Sequence, residues 1–142
     1  MQLFEDIKKS TQDAVETVFG KPVDIENIAV QYTRKDFDGD VTIVVFPLLK
    51  ISKKPPEETA EMLGNYLKES VDTVSDFNVV KGFLNLVISD SYWVNVLGKI
   101  TKNVSFGIET TNSGKTIMVE YSQPNTNKPL HLGHLRNNML GY

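Results

Sequence analysis

The chain has no cysteine, which removes disulfide staples and every thiolate metal site. It also lacks a long apolar run: the longest, residues 41–49, is interrupted by Thr42 and Pro47 and falls far short of a bilayer span. A secretory signal is missing as well, because Glu5, Asp6, Lys8 and Lys9 already stand near the start. There is no excess of positive charge. With 15 Lys and Arg against 18 Asp and Glu, the net charge is −3, so nothing pulls the whole surface toward a polyanion, and any nucleic-acid contact must be local and shape-dependent. These absences predict a cytoplasmic chain with no membrane contact and no protein-bound metal. What is present, 40% hydrophobic and 23% charged residues, suits a soluble chain that buries a core. Its 142 residues hold one domain of ordinary size, so a second domain is present only in part.

Phe4, Ile7, Ala14, Val15, Val18 and Phe19 recur at helical spacing and stop at Gly20 and Pro22, which predicts an amphipathic helix over residues 3–19. Ile28, Val30 and Tyr32, then Val41, Ile43 and Val45, alternate with period two and predict an antiparallel pair reversing at Asp38-Gly39. Pro55-Pro56 suits the first turn of a second helix with Ala60, Leu63 and Leu67 on one face. Gly64 in its middle costs about 1 kcal/mol relative to Ala and calls for packing or the close approach of a neighbour. Residues 77–80 and 83–89 read as strands around Lys81-Gly82, and a third helix follows, capped by Ser89, Asp90 or Ser91 and carrying Trp93, Val96, Leu97 and Ile100. Trp93, Tyr66 and Phe46 are expected at the helix and sheet interface. Residues 101–115 lose periodicity and form a linker. Residues 116–121 are a strand candidate, residues 122–130 a loop with two prolines, and Leu132, Leu135, Met139 and Leu140 resume a helical face.

The chemistry concentrates at this strand-to-helix junction. A helix N-terminus offers free N–H groups and a positive dipole end, which suits phosphate. His131 and His134 share a face of the first turn and can both donate to phosphate oxygens. Gly133 between them lets a flat ring approach the backbone, and Lys128 brings a mobile ammonium to the same place. A zinc reading lacks a third ligand at suitable spacing.

The segment His131-Leu132-Gly133-His134 resembles the His-x-Gly-His signature of class I aminoacyl-tRNA synthetases. Ser122, Pro124-Asn125, Lys128-Pro129-Leu130 and Leu135-Arg136 around it are similar to the arginyl family over about residues 118–141. The resemblance implies that His131, His134 and Lys128 act on ATP phosphates and that Gly133 makes room for adenosine. It further implies that Glu120, Ser122 and Asn125 line the arginine pocket; Gln123 stands where a serine is expected. ATP, accompanied by magnesium in the full-length enzyme, arginine and tRNA(Arg) are the implied partners, and the parent is expected to be a monomer.

The first hundred residues resemble the amino-terminal domain of the same family at residues 37–40, 55–60 and 82–85, where a Gly-Phe-x-Asn strand contacts the tRNA D-loop. Strand alternation gives a local version: with Leu84, Leu86 and Ile88 on one face, Phe83 and Asn85 share the other, where a ring stacks on an unpaired base and an amide bonds its edge. A strand phenylalanine is ordinarily core, and that alternative stands beside the RNA-stacking one. The fold expected is α+β, an antiparallel sheet of about four strands with packed helices over residues 1–105, followed over residues 106–142 by the first βα element of a Rossmann-like catalytic domain. This reading makes the full-length parent an arginine-tRNA ligase and the chain alone inactive. The competing readings are a free-standing RNA-binding module with a vestigial nucleotide motif and a nucleotidylyltransferase fragment.

Overall fold

The apolar spacing at the start of the chain produces helix α1, Gln2–Phe19, with Leu3, Ile7, Thr11, Ala14 and Val15 buried on one face. In the computed structural model, residues 2–108, 114 and 116–142 are described. Four strands follow, β1 (Ala29–Tyr32), β2 (Val41–Val44), β3 (Val74–Val80) and β4 (Phe83–Ile88), in one sheet of order β1-β2-β4-β3. Between β2 and β3 lie a short helix, α2 (Leu49–Ser52), and the longer α3 (Pro56–Ser70), entered through Pro55 and Pro56. Both β2 and β3 are antiparallel to β4, so they run parallel to each other with β4 between them, a split βαβ unit whose crossover carries α3. The architecture is α+β.

Register assigns the faces. The rows Val30–Ile43–Leu84–Val79 and Tyr32–Val41–Leu86–Phe77 turn toward the helices, and Val41, Ile43, Leu84 and Leu86 are fully buried there. The alternate rows, Ala29–Val44–Phe83–Val80 and Gln31–Thr42–Asn85–Asn78, turn away from them. Gly64 is explained by the first set: a Cβ there would overlap the Phe77 ring, so its absence lets α3 settle onto β3. Lys81 and Gly82 both have positive φ, 49° and 76°, the pattern of a two-residue hairpin between β3 and β4. The Asp38-Gly39 reversal is part of a wider loop, residues 33–40, closed by the Thr33 N–H donating to the Asp40 carbonyl at 3.1 Å.

Helix α4, Asp90–Lys102, begins at Ser89 as expected, but its apolar side chains are not an interface: Trp93, Val94 and Leu97 are exposed, with Trp93 resting edge-on against Tyr92. Phe46 is also largely exposed and meets the Phe83 ring edge-on at 5.6 Å. Of the three side chains expected at the helix and sheet interface, only Tyr66 packs against the core. The linker expected over 101–115 begins inside α4, and its residues 109–113 and 115 lie outside the described residues.

The chain divides into two compact units, Met1–Phe106 and Gly107–Tyr142. In the second, helix α5 spans Leu132–Gly141, and Tyr121 packs against Gly141, where a Cβ would collide with its ring. The strand expected at residues 116–121 is not formed. A strand holds its shape through hydrogen bonds to a neighbour, and no strand among the described residues pairs with this segment. No described helix is long and apolar enough to cross a membrane.

Candidate functional site

The sheet face turned away from the helices carries a concavity of about 280 Å³ lined by Gln31, Arg34, Phe37, Thr42, Val80, Lys81, Phe83 and Asn85. The floor comes from the alternate residues of β1, β2 and β4, and Arg34 and Phe37 come from the loop 33–40. That loop is tied down by glycine: at Gly39, with φ 120°, a Cβ would stand 3.2 Å from Asn85 Cβ and 3.1 Å from the Leu86 carbonyl oxygen. Phe83 is half-buried and aromatic against Phe46, so it faces this concavity without belonging to the core behind it.

Asn85 departs from the sequence expectation. The amide is not exposed beside Phe83; the residue is 1% exposed and its side chain is engaged at both ends. The Asp38 carbonyl accepts from Asn78 Nδ2 at 2.7 Å, so Asn78 Oδ1 faces Asn85 and accepts from Asn85 Nδ2 at 2.8 Å. Asn85 Oδ1 therefore faces Thr42 and accepts its hydroxyl at 2.7 Å. The Thr33 and Thr42 hydroxyls lie 3.0 Å apart, and since Thr42 spends its hydrogen on Asn85, Thr33 donates to Thr42. An acceptor-only carbonyl at one end thus sets the polarity of the whole chain of bonds. Sequence reasoning missed Gln31, Thr42 and Asn78. Their signal was the polar phase of each strand alternation, but a common row appears only once the register is known.

At the other site, His131 is the N-cap of α5. Its Nδ1 accepts the Gly133 N–H at 3.1 Å, and its own N–H donates to His134 Nδ1 at 3.2 Å, a capping box made of two imidazoles. The rings lie 4.0 Å apart between centroids, inclined by 36°. Since both Nδ1 atoms accept, both neutral rings carry their proton on Nε2, and among the described residues neither Nε2 has a partner. Gly133 has a second role: a Cβ there would stand 2.8 Å from His131 Cε1 and 2.9 Å from its Nδ1, pushing the ring off its cap.

The remaining expected site residues are not gathered around these histidines. Glu120 lines an open concavity of about 490 Å³ with Tyr121, Gln123, Asn137, Leu140 and Gly141. His131 and His134 line another, of about 440 Å³, with Leu130, Leu132, Leu135 and Asn138. Lys128, Ser122 and Asn125 are exposed and line neither; Asn125 and Lys128 close a turn through the Lys128 N–H and the Asn125 carbonyl at 3.3 Å. Among the described residues no three His, Asp or Glu side chains form a metal cage.

The class comes from a family match: residues 95–142 match the family described as tRNA synthetases class I (R), catalytic domain. Residues 5–88, more than half of the chain, match the Arginyl tRNA synthetase N terminal domain. The chain belongs to the arginyl-tRNA synthetase family. It is 48% identical to the arginine-tRNA ligase of Phocaeicola vulgatus over 99% of this chain and 24% of that protein. It is 48% identical to that of Flavobacterium psychrophilum, covering 100% of this chain and 25% of that protein. The Thermus thermophilus arginyl-tRNA synthetase structure is similar with a TM-score of 0.55 at 27% identity, over 96% of this chain and 21% of that one. The chain spans about a quarter of the length of the curated relatives it matches. Helix α4 is shared between the two descriptions: it lies in the first compact unit, while the catalytic match begins within it at residue 95.

Proposed function

We propose that this chain forms the tRNA-contacting domain and the ATP-binding entry of an arginine-tRNA ligase, which activates arginine with ATP and transfers it to tRNA(Arg). The observation that carries the reading is the imidazole capping box, which leaves two Nε2–H donors unpartnered at a helix N-terminus. An arginine carboxylate oxygen attacks the α-phosphorus of ATP; the bond to the β-phosphate oxygen breaks, and arginyl adenylate and pyrophosphate result. A tRNA terminal hydroxyl then attacks the arginyl carbonyl and AMP leaves. His131 and His134 donate to phosphate oxygens as charge builds there, and Lys128 adds a mobile cation. Gly133 keeps His131 on its cap and opens the backbone to adenosine. Glu120, Ser122 and Asn125 supply a carboxylate and neutral oxygens for the arginine guanidinium. Magnesium belongs to the nucleotide phosphates in this reading, and no step is assigned to it.

Phe83 and its concavity take an unpaired base of the tRNA D-loop. An aromatic ring with Arg34 and Lys81 beside it suits a base and its phosphate, despite the acidic whole. The reading implies a cytoplasmic, monomeric enzyme. Arginine-dependent exchange of pyrophosphate into ATP by the full-length protein tests it, and exchange with another amino acid instead would overturn the arginine assignment. The 142-residue chain alone is expected to show none, because Glu120 and the histidines line separate concavities.

A further inference from the structure

We propose that the exposed face of α4 is the seat of the catalytic domain that continues past Tyr142, with Gly98 at the point of closest approach. This rests on the reading that the chain is the amino-terminal part of a longer arginine-tRNA ligase. Helix α4 has 13 residues and none of them is buried, so its own domain supplies little of the packing that a helix of this length needs in water. Tyr92 packs against the core, and Val96 and Ile100, in phase with it, are half-buried. The other flank is bare: Trp93, Val94 and Leu97 share it with Gly98, and Val94 and Leu97 are 67% and 59% exposed. A contiguous apolar face of this kind marks an interaction surface. Gly98 says how close the occupant comes. Glycine is the poorest helix former except proline, and in mid-helix it calls for a reason. Gly64 in α3 has one, since a Cβ there would overlap the Phe77 ring. Among the described residues a Cβ at Gly98 meets nothing within 4 Å, so the neighbour that calls for glycine is not one of them. Two observations name it. The match to the class I catalytic domain begins at residue 95, inside α4, so Leu97 and Gly98 belong to that domain by sequence while Tyr92 holds the helix to the first unit. The chain covers 24% of the Phocaeicola vulgatus relative, which leaves most of such a protein to cover the face. Lys99 and Lys102 flank Val94 and Gly98 around a shallow concavity of about 520 Å³, so the docking surface is an apolar ridge with a carboxylate toward the end of α4.

Amide hydrogen exchange read by mass spectrometry, without substrates, tests this on the full-length protein, on the 142-residue chain, and on both carrying Gly98→Leu or Val94→Asp. Amides of residues 93–102 should exchange on the order of a hundredfold more slowly in the full-length protein than in the short chain. Gly98→Leu fills the point of approach and Val94→Asp puts a charge on the apolar flank, so each should abolish most of that difference. Both side chains have room in the short chain, whose helicity by circular dichroism should hold, so lost protection reports undocking rather than melting of α4. Equal exchange in the full-length protein and the short chain, or full protection retained by both variants, would overturn the proposal. So would protection that appears only when tRNA(Arg) is added, which would assign the face and its lysines to the polyanion. Protection in the short chain that falls on dilution would overturn it too, by assigning the face to a second copy. Arginine-dependent exchange of pyrophosphate is measured separately: its absence refutes the ligase reading, while protection of α4 reports docking whichever amino acid is activated.

Discussion

Replacing Thr42 by Val tests the polar row across the sheet. The two side chains have nearly the same shape, and Val is at least as comfortable on a strand, so propensity predicts no loss. The bonding predicts one. Thr42 is buried, its hydroxyl donates to Asn85 Oδ1 at 2.7 Å, and Asn85 is too enclosed for water to replace that donor. Stranding a buried acceptor costs about 1–3 kcal/mol, against which the new methyl contributes about 0.8 kcal/mol of burial. Thr33, half-buried, turns its hydroxyl outward at little cost. A net loss of roughly 1 kcal/mol follows, with about 2 kcal/mol as the upper end. Urea unfolding followed by circular dichroism reads it directly: with m of about 1–3 kcal/mol/M, the midpoint should fall by several tenths of a molar. The decisive comparison is the same substitution in the Asn85→Leu background, where no acceptor remains to be stranded. There Thr42→Val should be neutral or stabilising, since removing both partners of a buried bond costs far less than removing one. Equal losses in both backgrounds would refute the bonding argument.

Gly64→Ala should destabilise the first unit by about 1–2 kcal/mol, because the overlap with the Phe77 ring outweighs the gain in helix propensity, and Phe77→Leu should recover most of the loss. His131→Asn preserves a good N-cap but removes the Nε2–H, so helicity should hold while arginine-dependent exchange by the full-length protein falls about 10²–10³-fold; unchanged exchange would remove His131 from the chemistry. Lys68 holds the Asp76 carboxyl below its ordinary range, first through their side-chain hydrogen bond of 2.9 Å, then through the Phe77 N–H and the nearby charge. A lowered folded value means that this stabilisation is present above the usual carboxylate value of 3.8 and is lost as pH falls through the lower folded one. Lys68→Met should therefore raise the Asp76 midpoint in an NMR titration, and an unmoved midpoint would discard the pair. Arg34→Ala should lower the slope of log Kd against log salt for tRNA binding by about 0.7, the share of one single-strand phosphate contact.

Much of the first unit was legible because its signals are local. The face of α1, the proline entry to α3, the hairpin at Lys81-Gly82 and the need for a close neighbour at Gly64 all follow from spacing or from what one residue type tolerates. The errors share a different cause. Placing Asn85 in solvent beside Phe83 was sound for an uncovered strand, but the loop carrying Asp38 and Gly39 comes back over that strand, and nothing in residues 83–88 announces a loop from residues 33–40. The helical phase of Trp93 suggests an interface, yet phase says which side chains share a face and not whether anything covers it, and Trp93 is exposed.

The second unit separates the same two kinds of information more sharply. Helix α5 forms with its apolar residues Leu132, Leu135, Met139 and Leu140 all exposed. Its start is satisfied locally: His131 and His134 engage N–H groups that a helix start otherwise leaves open, through bonds within residues 131–134. Residues 116–121 carry an equally clear strand pattern, but every bond a strand makes goes to another strand, and Ile117, Met118 and Val119 stand exposed without one. The capping bonds of the histidine segment are thus local, made within residues 131–134. Whatever part the proposed arginine pocket gives Glu120 depends on sheet neighbours for residues 116–121, and so there the family resemblance says more than the local chemistry.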